Sequence, residues 1–332
     1  HMRRVIVILL ALVLGWSVWW AVASNGLRSG IASWLAARSA EGWQAEAANI
    51  TGGGFPTRIR AQLTDLALAD PDTGLALRTD VLQIAAPAWW PGNVTITLDE
   101  EPITLASPFG QSQLSMQQGV IATRLAPGTA LELQSLGWTA GPWVLRDTDV
   151  LAQADDLTLV MQQDTGPRYS VTAAASAFAP GTAARLGLRL PAEFPEAFDA
   201  LELQAEITFD RPWDRRALSD RRPQPRQIRL KLAEARWGDL RLNFAADLSV
   251  DDTGIADGTV SLQAENWRTM LDLAQNVGAL PPGLRDQADA VLAALARASG
   301  NEATLDVDLV VRNGVVLFGF LPVAQAPRLV LR

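Results

Sequence analysis

"RLNFAADLSVDDTGIADGTVSLQA", residues 241–264, sets apolar side chains at every second position on either side of an Asp-Asp-Thr-Gly turn. Successive residues of a β-strand point to opposite faces, so a period of two marks a strand buried on one side. The same alternation runs through "TRIRAQL" (57–63), where Ile59, Ala61 and Leu63 alternate with Arg58, Arg60 and Gln62. It returns in "NVTITL" (93–98), "LELQAEITF" (201–209) and "RQIRLKL" (226–232). Turn residues separate the runs, in "DPDTG" at 70–74, "APGT" at 126–129 and "DTG" at 164–166. Many short one-faced strands predict a mainly β fold (β-rich α+β) built on a curled antiparallel sheet.

Two helical stretches interrupt this pattern. "NWRTMLDLAQNVGAL" places Trp267, Met270, Leu271, Ala274 and Gly278 on one face, with Asn266 at the N-cap. "GLRDQADAVLAALARA" does the same with Leu284, Ala288, Val291, Leu292 and Leu295. Pro281-Pro282 divides them, so residues 266–298 are expected to form a helical hairpin covering one face of the sheet. Asn313-Gly314, within "TLDVDLVVRNGVVLFGF", signals a closing β-hairpin.

The N-terminal stretch "MRRVIVILLALVLGWSVWWAVAS" (2–24) carries no charge from Val5 to Ala23, close to the ~20 residues that cross a bilayer as a helix. Arg3 and Arg4 precede the run, which favours an inside N-terminus. Trp16, Trp19 and Trp20 gather at its far end, where indoles prefer the water interface. Ala21-Val22-Ala23 before Ser24 also has the small-x-small form of a signal cleavage site. The run exceeds the ~7–15 residues of a signal h-region, so a kept anchor over residues 1–23 is preferred. Leu27, Ile31, Trp34 and Leu35 predict an amphipathic juxtamembrane helix within 24–42, and residues 43–332 then form an exported β-rich domain.

Composition removes most chemistry. His1 before Met2 reads as a cloning remnant; without it the chain has no histidine, and it has no cysteine. No imidazole or thiolate is left for zinc, general base or nucleophile, and no disulfide can form. The formal charge of −8 argues against a nucleic-acid partner. Paired acids at Asp99-Glu100-Glu101, Asp155-Asp156 and Asp251-Asp252 sit in turn or strand contexts, not facing each other across a sugar. "DDTGIADG" fails as a calcium loop because Gly254 and Ala256 occupy ligand positions and no closing Glu follows. No catalytic residue, metal site or cofactor is therefore expected.

Two surface features remain. The loop "RPWDRRALSDRRPQPR" (211–226) combines six arginines with three prolines. Arg215, Arg216, Arg221 and Arg222 are candidate contacts for anionic headgroups or a partner, against the simpler reading of a solvated loop guarding a sheet edge. Trp89-Trp90, between Pro87 and Pro91, are candidates to rest on the bilayer, line an apolar groove or plug the core.

The stretch 237–271, with the closing "NGVVLFGFLPVAQAPRL" and the early "GGGFPTRIRAQLTDLALAD", resembles the domain-of-unknown-function 2125 family of Gram-negative bacteria. The resemblance is most specific at Trp237-Gly238, the Asp251-to-Gly258 turn, Asn266-Trp267 and Pro322 to Leu329; Val323-Ala324 stands where Leu-Gly is expected. It implies an inner-membrane or periplasmic protein and brings no catalytic residues. The layout is also loosely similar to AsmA-like proteins, which implies a trough for lipid chains. Together these readings lead to a single-pass inner-membrane protein with its body in the periplasm. Its expected role is non-enzymatic: binding lipid or another hydrophobe in a β-sheet groove. A closed-core structural module that contacts an envelope protein is the alternative.

Overall fold

A computed structural model describes residues 2–331; His1 and Arg332 lie outside the described residues. The chain divides into two compact units, His1–Pro127 with Trp138–Ala140, and Gly128–Gly137 with Gly141–Arg332. Both are mainly β, and the strand pairs within each are antiparallel.

The first unit begins with one long helix, α1 (Met2–Ala40). The anchor expected over 1–23 and the helix expected over 24–42 are continuous, since no proline interrupts residues 2–40. Two short strands follow, β1 (Gln44–Glu46) and β2 (Asn49–Gly53), both pairing with β3 (Arg58–Asp70). Strand β3 forms a long hairpin with β4 (Leu75–Pro87). Beyond it β5 (Asn93–Leu98) and β6 (Ile103–Ser107) both pair with β4, while β7 (Gly110–Met116) pairs with β6 and β8 (Val120–Leu125) with β5. The alternation read in "TRIRAQL" is the core pattern, with Ile59, Ala61 and Leu63 buried.

Helix α1 packs along this hairpin. Leu35 is buried against Ala45, Leu63 and Leu66, joined by Ile31 and Trp34 from the helix and by Trp43. Further back, Trp20, Ala23 and Leu27 cover Ile59, Ala86 and Ala88. The three tryptophans expected at the membrane interface are bonded to the body. Trp16 Nε1 donates to the Pro56 carbonyl at 2.9 Å, Trp19 Nε1 to Ala88 at 2.7 Å and Trp20 Nε1 to Arg58 at 2.6 Å.

Strand β9 (Leu133–Ala140) lies where the division falls. In the second unit β10 (Trp143–Arg146) pairs with β11 (Val150–Ala154), and β11 with β14 (Ala179–Pro180). The main sheet runs in the order β12 (Leu157–Thr165), β13 (Arg168–Ala174), β15 (Ala200–Phe209), β16 (Pro225–Trp237), β17 (Leu240–Val250), β18 (Ala256–Glu265), β19 (Thr304–Arg312), β20 (Val315–Phe318) and β21 (Leu321–Gln325). Short helix α2 (Thr182–Gly187) precedes β15. Helices α3 (Trp267–Asn276) and α4 (Pro282–Ala298) connect β18 to β19, as the sequence predicts.

Two turns explain the β17–β18 and β19–β20 hairpins. The Asp251 carboxylate accepts hydrogen bonds from the Thr253 and Ile255 amides and the Thr253 hydroxyl, which closes the turn on itself. That bonding lowers the Asp251 pKa, the Ile255 amide contributing most. Asn313 and Gly314 both take positive φ, as an Asn-Gly hairpin turn requires. Asn266 departs from its expected role. It occupies the α3 N-cap position in the left-handed region, but its side-chain amide donates to the Asp239 carbonyl instead of capping the helix.

Candidate functional site

The second unit's sheet has one apolar and one polar face, and its register aligns them across seven strands. Residues opposite one another in an antiparallel ladder share a face. One row reads Leu159, Ala173, Leu203, Ala233, Phe244, Leu262 and Val307. The neighbouring row includes Leu201, Ala235, Leu242, Ala264 and Leu305. On the opposite face the rows are polar, as in Thr158, Ala174, Glu202, Glu234, Asn243, Gln263 and Asp306. That face carries ion pairs, among them Lys231 to Glu206 at 3.2 Å and Arg236 to Glu234 at 3.1 Å.

A β-bulge keeps the apolar face continuous. Gln204 pairs with Leu232, whereas Ala205 pairs with Leu230, so Lys231 is the extra residue in β16. The alternation in "RQIRLKL" would put Ile228, Leu230 and Leu232 on one side. The bulge instead turns Leu232 to the Gln204 side and brings Ala233 and Ala235 onto the face of Ile228 and Leu230. Without it, a one-residue slip would send half of β16 to the wrong side.

Helices α3 and α4 cover one part of this face. Trp267, Leu271, Ala293 and Ala296 are buried against Ala264, Leu305 and Val307, with Leu242 and Met270 packed around them. Trp267 is fully buried and its indole donates to the Glu302 carbonyl at 3.1 Å. Arg268 pairs with Asp289 at 3.0 Å and Arg285 with Asp272 at 2.5 Å, tying the two helices together. Of the residues expected on the buried side of α4, Ala288, Leu292 and Leu295 pack against this core. Leu284 and Val291 are half exposed, while Ala293 and Ala296 meet the sheet, the small residues letting the helix approach closely.

Across β12, β13, β15, β16 and β17 the same face is uncovered among the described residues. Leu157, Ala173, Ala175, Leu201, Leu203, Ala233, Ala235 and Phe244 line an open groove of ≈ 380 Å³ there. Phe244, where the helical cover stops, is 36% exposed. The five strands, at ~4.8 Å spacing, give a width of about 19 Å. Two residues beyond Ala235 on the same side of β16, Trp237 is stacked on Phe198 at 4.4 Å and meets Phe194 edge-on at 4.9 Å. Towards the other end of the strands stand Tyr169, Phe209 and Trp213, with ring centroids 5.8 and 5.5 Å apart in sequence. The apolar face thus runs between two aromatic clusters. Tyr169 is fully buried; its hydroxyl donates to the Leu133 carbonyl and accepts from the Trp213 amide, both at 3.1 Å, and burial raises its pKa.

The sequence-derived candidates lie elsewhere. Arg215 and Arg216 fall in a short 3₁₀ turn (Arg215–Leu218) of the Arg/Pro loop, exposed to solvent. Arg216 is held by Asp214 at 2.7 Å and Arg221 by Asp210 at 2.6 Å. Arg222 is exposed, its carbonyl accepting from Gln224. Buried Gln224 also binds the Leu331 backbone at both its amide and its carbonyl. In the first unit Trp89 is 65% exposed, whereas the Trp90 indole folds over Gly92, where a Cβ would collide with it. The groove residues were not singled out from sequence. Their signal was the alternation itself, but which stretch of the face lies bare depends on where α3 and α4 dock.

The comparisons with known proteins follow the same outline. A family model described as "Uncharacterized protein conserved in bacteria (DUF2125)" matches residues 20–327. The chain belongs to this family. The match begins at Trp20 of α1 and takes in both β-rich units and the helical hairpin. No curated protein matches the chain. The looser AsmA-like layout gains no support from the family match.

Proposed function

We propose that this member of the domain-of-unknown-function 2125 family is a membrane-anchored envelope protein that holds a long apolar ligand, such as a lipid acyl chain. The ligand lies along the uncovered apolar face of the second unit's sheet. The observation that carries this reading is the continuity of that face: α3 and α4 seal it over β18, β19 and the Leu242 end of β17, and nothing among the described residues seals it from β12 to Phe244 of β17. The groove's volume falls within the ~300–1,000 Å³ of ligand sites. Glu202 and Glu234 also border the groove, but they pair in a row of the opposite face, so the groove's own surface is apolar, which supports carriage or binding.

Anchoring is supported by α1, whose charge-free run is long and apolar enough to cross a membrane. Cleavage after Ala23 would remove three indoles bonded to the body and uncover Ile59, Ala86 and Ala88, which supports a helix that is kept. Arg3 and Arg4 ahead of the run favour an inner-membrane protein with its body in the periplasm.

The test is gentle extraction of the full chain from a Gram-negative host, followed by lipid mass spectrometry. Stoichiometric lipid that survives detergent exchange, and is lost in Ala233→Arg, is expected. A lipid-free protein that instead co-purifies one envelope protein would replace this reading with that of an interaction module.

A further inference from the structure

Helix α1 meets the body before it has crossed a full bilayer. Arg4 is the last charge ahead of the apolar run, and Trp16 is the first of the indoles bonded to the body. Trp16 is twelve helical steps from Arg4, about 18 Å of helix at ~1.5 Å per residue, against ~30 Å of hydrocarbon. About 12 Å of hydrocarbon then remain beyond Trp16, and any helix tilt increases that remainder. Residues 16–24 of α1 must pass through this layer while bonded to Pro56, Arg58 and Ala88.

The end of the first unit that carries these partners has the side chains such a layer selects. Phe55 is 56% exposed and stands edge-on to Trp20 at 5.3 Å; Pro56 is exposed beside it, and Trp89 projects from the β4–β5 turn. The next exposed charges along the strands are Arg58 and Arg60 at the start of β3 and Arg124 at the end of β8. Among the described residues no acid lies at this end. The nearest along β3 and β4 are Asp65 and Asp80, each seven residues in from the strand end, about 23 Å at ~3.3 Å per residue. Along β5 the first is Asp99, six residues from Asn93. In a chain of net charge −8, an apolar tip followed by arginines and no acids is the pattern of a surface seated among lipid headgroups.

We propose that this end of the first unit sits inside the bilayer leaflet on the body's side. Phe55, Pro56 and Trp89 reach the acyl–headgroup boundary, and Arg58, Arg60 and Arg124 lie at phosphate depth. The proposal rests on the membrane-anchored reading of α1 and makes the body an interfacial one, without a spacer between it and the membrane.

Because the chain has no cysteine, single spin labels can be placed without background. The full-length variants Leu9→Cys, Phe55→Cys, Trp89→Cys and Asp72→Cys are labelled and reconstituted into phosphatidylethanolamine–phosphatidylglycerol vesicles. Relative accessibility to oxygen and to a water-soluble nickel chelate is then read by EPR. Leu9 reports the anchor, and Asp72, in the β3–β4 turn at the opposite end, reports bulk water. The expected result is loss of nickel access at both 55 and 89 relative to 72, with Leu9 deeper still. Nickel access at either 55 or 89 equal to that at 72, with Leu9 protected, overturns the proposal and leaves the anchor standing. Nickel access at Leu9 removes the anchor and the proposal together.

Discussion

Leu201 and Leu305 occupy one cross-strand row on one face of one sheet, but only Leu305 lies beneath the helical hairpin. Replacing each with aspartate separates what the hairpin covers from what it leaves bare. Leu305 is 1% exposed, so Leu305→Asp forfeits ~1.5–3 kcal/mol of leucine burial. It also strands a carboxylate without a partner, at several kcal/mol more. The sum, about 5 kcal/mol or more, is a large share of the ~5–15 kcal/mol stability of a typical domain. At Leu201 the new carboxylate can turn into the open groove and keep its water, so the cost is partial loss of leucine burial, under about 2 kcal/mol. Urea midpoints of delipidated protein, followed by circular dichroism, should therefore fall far more for Leu305→Asp than for Leu201→Asp. Equal losses would refute the reasoning, since they would mean that Leu201 is as sealed from water as Leu305.

Three further outcomes follow from particular contacts. Tyr169→Phe should cost about 1–3 kcal/mol, because the Leu133 carbonyl and Trp213 amide lose their shared partner inside the unit. Burial raises the Tyr169 pKa, so its contribution is whole below the unfolded value of about 10 and fades as pH rises through the folded one. The wild-type midpoint should accordingly drop more steeply above pH 10 than that of Tyr169→Phe, measured by thermal melts across pH. A chain starting at Ser24 loses three indole hydrogen bonds, each worth ~0.5–1.5 kcal/mol, and should show faster amide exchange around Ile59 and Ala86 than the full chain. Gln224→Ala should free the chain end it holds at Leu331, read as faster exchange of that amide and earlier proteolysis of residues 326–331, with little change at Trp267.

The strands and the helical hairpin were legible because their signals are local. Alternation in 201–209, 241–250 and 258–264 and the apolar spacing of Trp267 and Leu271 each report a face within one element. The phase change in β16 was not legible. The bulge at Lys231 is set by pairing with β15, whose residues lie more than twenty positions upstream, and it decides whether Leu232 or Ala233 faces the groove. An N-terminal apolar helix was readable from its lack of charge, but the reach of Trp16 and Trp19 to Pro56 and Ala88 was not, as it depends on how α1 lies on the hairpin. The four loop arginines drew notice as a charge run. That Arg216 pairs with Asp214 inside the loop and Arg221 with Asp210 just before it depends on how the loop folds back, which no local pattern reports.

The central claim is that an apolar chain lies along the bare face of β12–β17. The most direct measurement is photo-crosslinking of a diazirine-bearing fatty acid to the full-length protein in membranes, with adducts mapped by tandem mass spectrometry. Adducts at Ala173, Leu203, Ala233 and Phe244, lost on competition with unlabelled lipid, are the predicted result. Adducts confined to α1, with the groove strands unlabelled, would contradict it.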